Sequence, residues 1–411
     1  MKTTILFTLL LCSYTLFSQS CLPDGITFSS QQGITDFTTL NPTCTTIEGN
    51  VTIQGITNFI GLEQITTIEG GIICNECTGF QNFQGLNSLS SLGFLSWDEG
   101  GEFEFEGLDS LVTVTDFINL SEANFGDFSG LESLNTVGGD FIVQECQLSG
   151  FNGLLSFNSI GGSFIIEENN NLFTLSIFGG ISEIGGDLII EDNPVFANIQ
   201  SFIGLDQIGG SLRLEDNPSI TELAGLNNIE TIGGELFIEH MPLLPDLNEL
   251  DELTSIDGAI SLLDNVILND ITGLANIDPD GISALQIAIC PQLSACSIES
   301  ICGFLNISPQ FSQIGDNLTD CNTTAEIIAN CAVNSVLEIE HDSFSLQFNL
   351  IENELIIQSD QVRDYTILNI LGQVQQQFRN TGGAVDVSGL STGMYLIQSE
   401  QGGRTLKFQK L

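Results

Sequence analysis

Glu167, Glu191, Glu215 and Glu239 recur at intervals of 24 residues, and Glu168, Asp192 and Asp216 directly follow the first three. Carboxylates repeated this regularly suit several kinds of chemistry. They can gather a hard cation such as calcium, which takes several oxygen ligands. They can match a cationic partner. In pairs they can act as the acid and base of glycoside hydrolysis. The plainer alternative is a solvated acidic face. Two residues earlier in the same register stand Asn119, Ile142, Ile165, Ile189, Arg213, Phe237 and Ser261. Isoleucine and phenylalanine on an outward strand position form an apolar stripe of the sort that marks an interaction surface.

Other candidates carry less. Trp97, the lone tryptophan, lies close to Phe103 and Phe105 in an acidic stretch, 98–106. That composition either stacks on a sugar ring or grips a partner, or packs over the protein's own body. Cys74 and Cys77 are spaced as in redox and metal motifs. They lack a second such pair and neighbouring histidines, so a structural bridge or stacked thiols is the expectation. Asp278-Pro-Asp-Gly281 reads as a turn. The sequence has no GxSxG, HExxH or phosphate-binding loop, so no catalytic residue is expected.

The elements that position these columns are set by an internal repeat. Turns begin at Glu48, Gly70, Gly93, Thr115, Gly138, Gly161, Gly185, Gly209, Gly233 and Asp257, in steps of 22–24 residues, with a degraded turn near Asp280. A constant step of this length signals a solenoid. Each unit places a Gly-Gly pair before a short alternating strand, as in Gly185-Gly-Asp-Leu-Ile-Ile-Glu191. The glycines predict positive φ or close backbone approach. Alternation sends Leu188 and Ile190 to one face and Asp187, Ile189 and Glu191 to the other. Asn193, Asn217 and Asn265 recur at strand ends, where stacked amides inside a bend are expected. The stretch 98–106 reads as an insertion that leaves the coil as a loop. No helical period is long enough for a helix-containing repeat, so a right-handed parallel β-solenoid is expected.

Composition bounds the rest. The 411 residues hold 53 acidic and 7 basic side chains, a net charge of −46. Between 21 and 335 the only Lys or Arg is Arg213 and the only His is His240. Nucleic-acid binding needs cations against phosphates and is excluded. Residues 1–20 read as a secretory signal, with Lys2 before the apolar run from Ile5 to Cys12. With Cys12 removed, ten cysteines remain, an even number suited to disulfides in an oxidising compartment. Cys21 and Cys44 bracket the start of the coil, five cysteines from Cys290 to Cys331 crowd its end, and Cys74, Cys77 and Cys146 are unassigned. Both Cys-rich ends suit caps for a solenoid's open edges. In the second, Thr323-Thr-Ala-Glu326 opens a short helix as a capping box.

Residues 44–287 resemble the receptor L-domain-like, leucine-rich-type solenoid. The resemblance rests on Cys44-Thr-Thr-Ile-Glu-Gly-Asn-Val-Thr-Ile53 and on the unit Gly204–Pro218. It implies ligand binding without chemistry, and no contact residue carries over. Residues 337–411 resemble the type A sorting domain of the type IX secretion system of Bacteroidetes. That resemblance rests on Asn353-Glu-Leu-Ile-Ile357, Tyr365-Thr-Ile-Leu-Asn-Ile-Leu-Gly-Gln373, Val387-Ser-Gly-Leu-Ser-Thr-Gly-Met-Tyr-Leu396 and Lys407-Phe-Gln-Lys410. It implies a small β-sandwich recognised by the secretion machinery.

The expected organisation is a signal peptide at 1–20, a disulfide cap at 21–47, solenoid repeats at 48–287, a Cys-rich cap at 288–335 and a sorting sandwich at 337–411. The fold class is mainly β. The expected function is recognition or adhesion, secreted or at the outer cell surface, with a protein or glycan ligand. Ile165, Ile189, Arg213 and Phe237 are the expected contacts, and Glu167, Glu191, Glu215 and Glu239 the candidate calcium ligands. The alternatives are an extracellular carbohydrate-active solenoid enzyme and a structural coat protein.

Overall fold

Bulky apolar residues separated by one outward residue favour pleated backbone over a half-buried surface. In the computed structural model Leu188-Ile189-Ile190-Glu191 is a strand, with Leu188 and Ile190 fully buried and Ile189 and Glu191 half-buried. The structure describes residues 20–175, 180–334, 344–349, 354–359, 363–369, 371–380, 383–399 and 405–410. All but the last residue of the expected signal, Cys12 included, lies outside them. The chain divides into two compact units between Ile328 and Ala329.

In the first unit, 22 short strands, from Ser20–Cys21 to Ser312–Gly315, form one parallel sheet. Each strand pairs with its equivalent one coil away, so that Phe164, Leu188, Leu212, Leu236 and Ile260 stand in line. The ladder reaches into both Cys-rich ends. The helix Gln31–Leu40 buries Ile34 and Phe37 beside the first coils, and Glu299–Ile307 buries Ile301, Phe304 and Leu305 at the other end. At Thr324–Asn334 the Thr323 hydroxyl accepts from the Glu326 N–H, while Glu326 accepts from the N–H of Asn322. This is the capping box displaced by one residue.

Two expectations change, and a third is narrowed to one of its alternatives. The stretch 98–106 is no insertion. The strand Ser91–Gly100 runs into it, and Glu102 and Glu104 bridge to Asn124 and Asn82 in the neighbouring coils. Its phenylalanines alternate with glutamates, so period-two backbone turns Phe103 and Phe105 into the core. Trp97 stacks on Phe103 at 4.0 Å and is buried with it. Phe83, Phe105 and Phe128 stack from coil to coil at 5.9 and 5.4 Å.

The Gly-Gly pairs do not adopt positive φ. They are close-approach sites: a Cβ at Gly209 would lie 2.3 Å from the carbonyl oxygen of Gly185. Positive φ falls instead at one position per coil, at or near the end of the longer strand. Glu76, Glu99, Glu122, Glu145, Glu168, Asp192, Asp216, His240, Asp264, Ile289 and Asp316 all have φ between 50° and 58°.

Not every cysteine pairs. Cys21–Cys44, Cys74–Cys77 and Cys296–Cys321 are disulfides, and Cys302 and Cys331 are also disulfide-bonded. Cys146 and Cys290 are free and buried. They occupy the coil position held elsewhere by Asn169, Asn193, Asn217 and Asn265, all fully buried. The Asn193 amide donates to the carbonyl of Ile166 at 2.9 Å and of Glu191 at 2.7 Å, and its oxygen accepts from the Asn169 N–H at 3.0 Å. The Cys146 thiol reaches the carbonyls of Leu120 and Gln144 in the same way, at 3.3 and 3.2 Å. Burial pushes it up to about 12, so it is a neutral donor and no nucleophile.

The second unit carries two antiparallel sheets. One joins strands 344–349, 354–359 and 383–386, and the other strands 374–380, 363–369, 393–399 and 405–410. Leu355, Ile357, Tyr365, Ile367, Tyr395 and Ile397 form the heart of its core. The buried Lys410 ammonium donates to the carbonyls of Val387, Ser388 and Leu390, so the basic end fastens the Val387–Leu390 turn.

Asn193→Val strands a buried N–H and two carbonyls at once. It is expected to lower unfolding stability by about 2–5 kcal/mol, read as a fall in the urea midpoint. Cys146→Asn, which installs the ladder's own residue, is expected to hold or raise that midpoint.

Candidate functional site

The outward strand columns come together as the repeat requires. Ile165, Ile189, Arg213 and Phe237 pair in register, and so do Glu167, Glu191, Glu215 and Glu239. Every one of these side chains is half-buried. The Arg213 guanidinium lies 4.4 Å over the Phe237 ring and donates to Glu215 at 2.7 Å. Arg213 therefore couples the two columns, through a cation–π contact on one side and an ion pair on the other. The apolar column closes at Ser261, which is buried and donates its hydroxyl to Glu239.

The glutamate ladder is not uniform. Glu167 and Glu191 are held above the ordinary glutamate value. Burial is the larger cause, followed by repulsion from Glu168 and Asp192 for Glu167, and from Glu215 and Glu167 for Glu191. Glu215 and Glu239 have polar partners in Arg213 and Ser261. A hard cation would find the less-partnered carboxylates at the Glu167–Glu191 end.

Past the strand end the positive-φ residues form a third column. Glu168, Asp192, Asp216, His240 and Asp264 line an open groove of about 640 Å³. Pro194, Pro218, Pro242 and Val266, each two residues further on, line it as well. Proline stops the chain from re-entering the ladder and leaves flat apolar rings beside the acids. Of the thirteen non-glycine residues with positive φ among the described residues, ten are Asp or Glu, nine of them in this column. A non-glycine side chain in this conformation costs about 1–2 kcal/mol, and glycine would avoid it. Asp216 is held above its ordinary value, by burial first and then, against the pull of His240, by Asp192, Glu215 and Asp264.

The sequence reading placed Asp192, Asp216 and Glu168 beside the ladder but missed their strained backbone and the groove. The signal was present as an acidic residue directly before Asn193 and Asn217. His240 was visible only as an isolated histidine. It stands in the acidic column between Asp216 and Asp264, 3.8 and 3.7 Å from their carboxylates. The remaining candidates leave the site: Trp97, Phe103 and Phe105 are core, Cys74 and Cys77 are bonded to each other, and Asp278 accepts from the Asp280 N–H in a single turn.

The family of secretion-system C-terminal sorting domains matches residues 341–411. No curated protein matches the chain. The sorting domain marks an exported protein, carried to the cell surface or beyond by type IX secretion, and residues 341–411 are the part that meets that machinery. Among the described residues no helix is long and apolar enough to cross a membrane.

The raised carboxyls have a consequence for pH. A carboxyl that binds its proton more tightly folded than unfolded destabilises the fold once ionised. Stability then falls as pH rises from the ordinary value of 4.5 through the higher folded value, and returns on acidification. The double variant Glu167→Gln/Glu191→Gln, in chelator, is expected to have a higher urea midpoint than the parent at pH 7 and the same midpoint at pH 4. An equal or lower midpoint at pH 7 would show that the ladder is not strained by its own charge.

Proposed function

We propose that the solenoid is a recognition or adhesion module without catalytic chemistry of its own, displayed after export and binding a protein or glycan ligand. Its working surface is the band made by the Ile165–Phe237 column, the glutamate ladder and the groove beyond it. The observation that carries this reading is the positive-φ column, where nine acids stand at positions that glycine would fill without strain. Strain of this kind persists where a side chain is needed. The resemblance to the L-domain-like solenoid, whose members bind ligands, points the same way. The ligand this surface suits is extended and cationic or polar, because the carboxylates repeat at the strand spacing of about 4.8 Å and run beside apolar rings. Such a ligand would pass over Arg213, the only Lys or Arg between residues 21 and 335, at its contact with Phe237.

The test uses the full chain immobilised against basic peptides and a panel of polysaccharides, with both retention and the size of soluble sugars measured. Retention without shortened product is the expected outcome. Ile189→Ser combined with Phe237→Ser is expected to weaken retention about tenfold or more while leaving the fold intact. Shortened sugars would replace this reading with that of a carbohydrate-active enzyme. Retention unchanged in the double variant would move the contact surface off this face.

A further inference from the structure

Glu215, Glu239 and His240 each offer one ligand atom, and these atoms lie within 4.8 Å of one another. The cluster differs from the rest of the acidic face because it contains an imidazole. His240 Nδ1 is shut off from solvent and has no hydrogen-bond partner. It faces Glu215 Oε1 at 3.7 Å and Asp216 Oδ2 at 3.8 Å, beyond hydrogen-bond length. Its other ring nitrogen, Nε2, faces Asp264 Oδ2 at 3.7 Å.

The surroundings are those of a supported site. The second oxygen of Glu215 is held by Arg213 Nη1 at 2.7 Å. One oxygen of Glu239 accepts from the Ser261 hydroxyl. Each carboxylate is thus oriented through one oxygen and keeps the other to offer. Asp264 faces the far ring nitrogen, the side from which an outer carboxylate orients a ligating imidazole, and at 3.7 Å it makes no hydrogen bond to it in this structure. Glu215 and Glu239 are direct strand partners, and His240 follows Glu239 in the chain, so the sheet fixes all three. His240 adopts positive φ, which histidine tolerates better than most residues.

The geometry points to a divalent transition-metal site, of the zinc class, at Glu215, Glu239 and His240. One nitrogen and two carboxylate oxygens suit zinc or a similar ion. Calcium prefers oxygen ligands alone and six to eight of them. The site would leave a coordination position for water or a ligand group, and it opens on the groove that His240 lines. It does not depend on the groove binding a partner, because strand pairing and chain adjacency bring its three ligand residues together.

The experiment is calorimetric titration of the chelator-dialysed full-length protein with zinc, repeated in excess calcium, together with the visible absorption of the cobalt-loaded protein. A single strong zinc site that calcium does not displace, and a cobalt spectrum of low coordination number, are expected. His240→Asn keeps the backbone conformation accessible and is expected to weaken zinc at least about tenfold, with Ser261→Ala, an outer partner, giving a smaller loss. The melting temperature of the metal-free variants should match the parent and serves as the folding control. Equal zinc affinity in the parent and His240→Asn would overturn the site. Displacement of zinc by calcium at similar concentration would overturn it too, leaving general attraction to an acidic face.

Discussion

Everything in the solenoid depends on satisfying backbone polar groups where each coil turns. A parallel coil must bend once its strand ends, and the bend here is buried. Unpaired N–H and C=O groups in such a place are costly. The column that begins at Asn169 solves this with a buried asparagine in most of its coils. Its amide donates to carbonyls on its own coil and the preceding one, and its oxygen accepts the backbone N–H of the residue before it in the column. The same geometry recurs at Asn217, Asn265 and Asn317. Because each amide ties one coil to the next, the ladder sets the register as well as the bend. Cys146 and Cys290 reach the equivalent two carbonyls with a thiol, whereas Met241 holds the position by burial and through its backbone N–H, which donates to Asn265.

The outward chemistry follows from that bend. To bring the asparagine inward, the residue before it must take positive φ, and this throws its own side chain outward. The backbone ladder continues across it, since the N–H of Asp192 still donates to the carbonyl of Glu215 in the next coil. A structural need thus creates a regular row of projecting side chains, and the sequence fills that row with acids. The glutamate column one residue earlier and the apolar column two residues before that are the remaining outward faces of the same strand. Three columns of different chemistry therefore stand side by side, held in register by one internal amide ladder.

The repeat, its period, the inward and outward alternation and the register of Ile165 to Phe237 were all legible in the sequence, because each is a local property repeated many times. What escaped is the information held by single departures from the repeat. Phe103 and Phe105 looked like an insertion because acids surround them, yet they keep the period of two and fall inside. Cys146 and Cys290 looked like disulfide halves because cysteine count ignores register. Their distances from Asn169 and Asn265, 23 and 25 residues, place them in the amide column. The Gly-Gly pairs left positive φ and close approach open and proved to be close-approach sites, while the positive φ fell on glutamates and aspartates, whose only cue was their place directly before the buried column. His240 carried no signal until the fold placed it between two carboxylates.

The spacing of the columns also decides how their charge acts. At physiological ionic strength the screening length is about 8 Å, longer than the separation of about 4.8 Å between paired strands. Neighbouring carboxylates therefore interact, and the row behaves as a continuous rail, which is why Glu191 responds to both Glu215 and Glu167. A rail attracts cationic groups at long range and aligns them along the coil axis, but exposed charges contribute little net affinity at contact. Affinity has to come from apolar area excluded from water, which the isoleucine column and the proline rings provide. Steering and grip are thus divided between adjacent columns. Arg213 is the one point where they meet, because its guanidinium touches the Phe237 ring and neutralises Glu215 in the same reach.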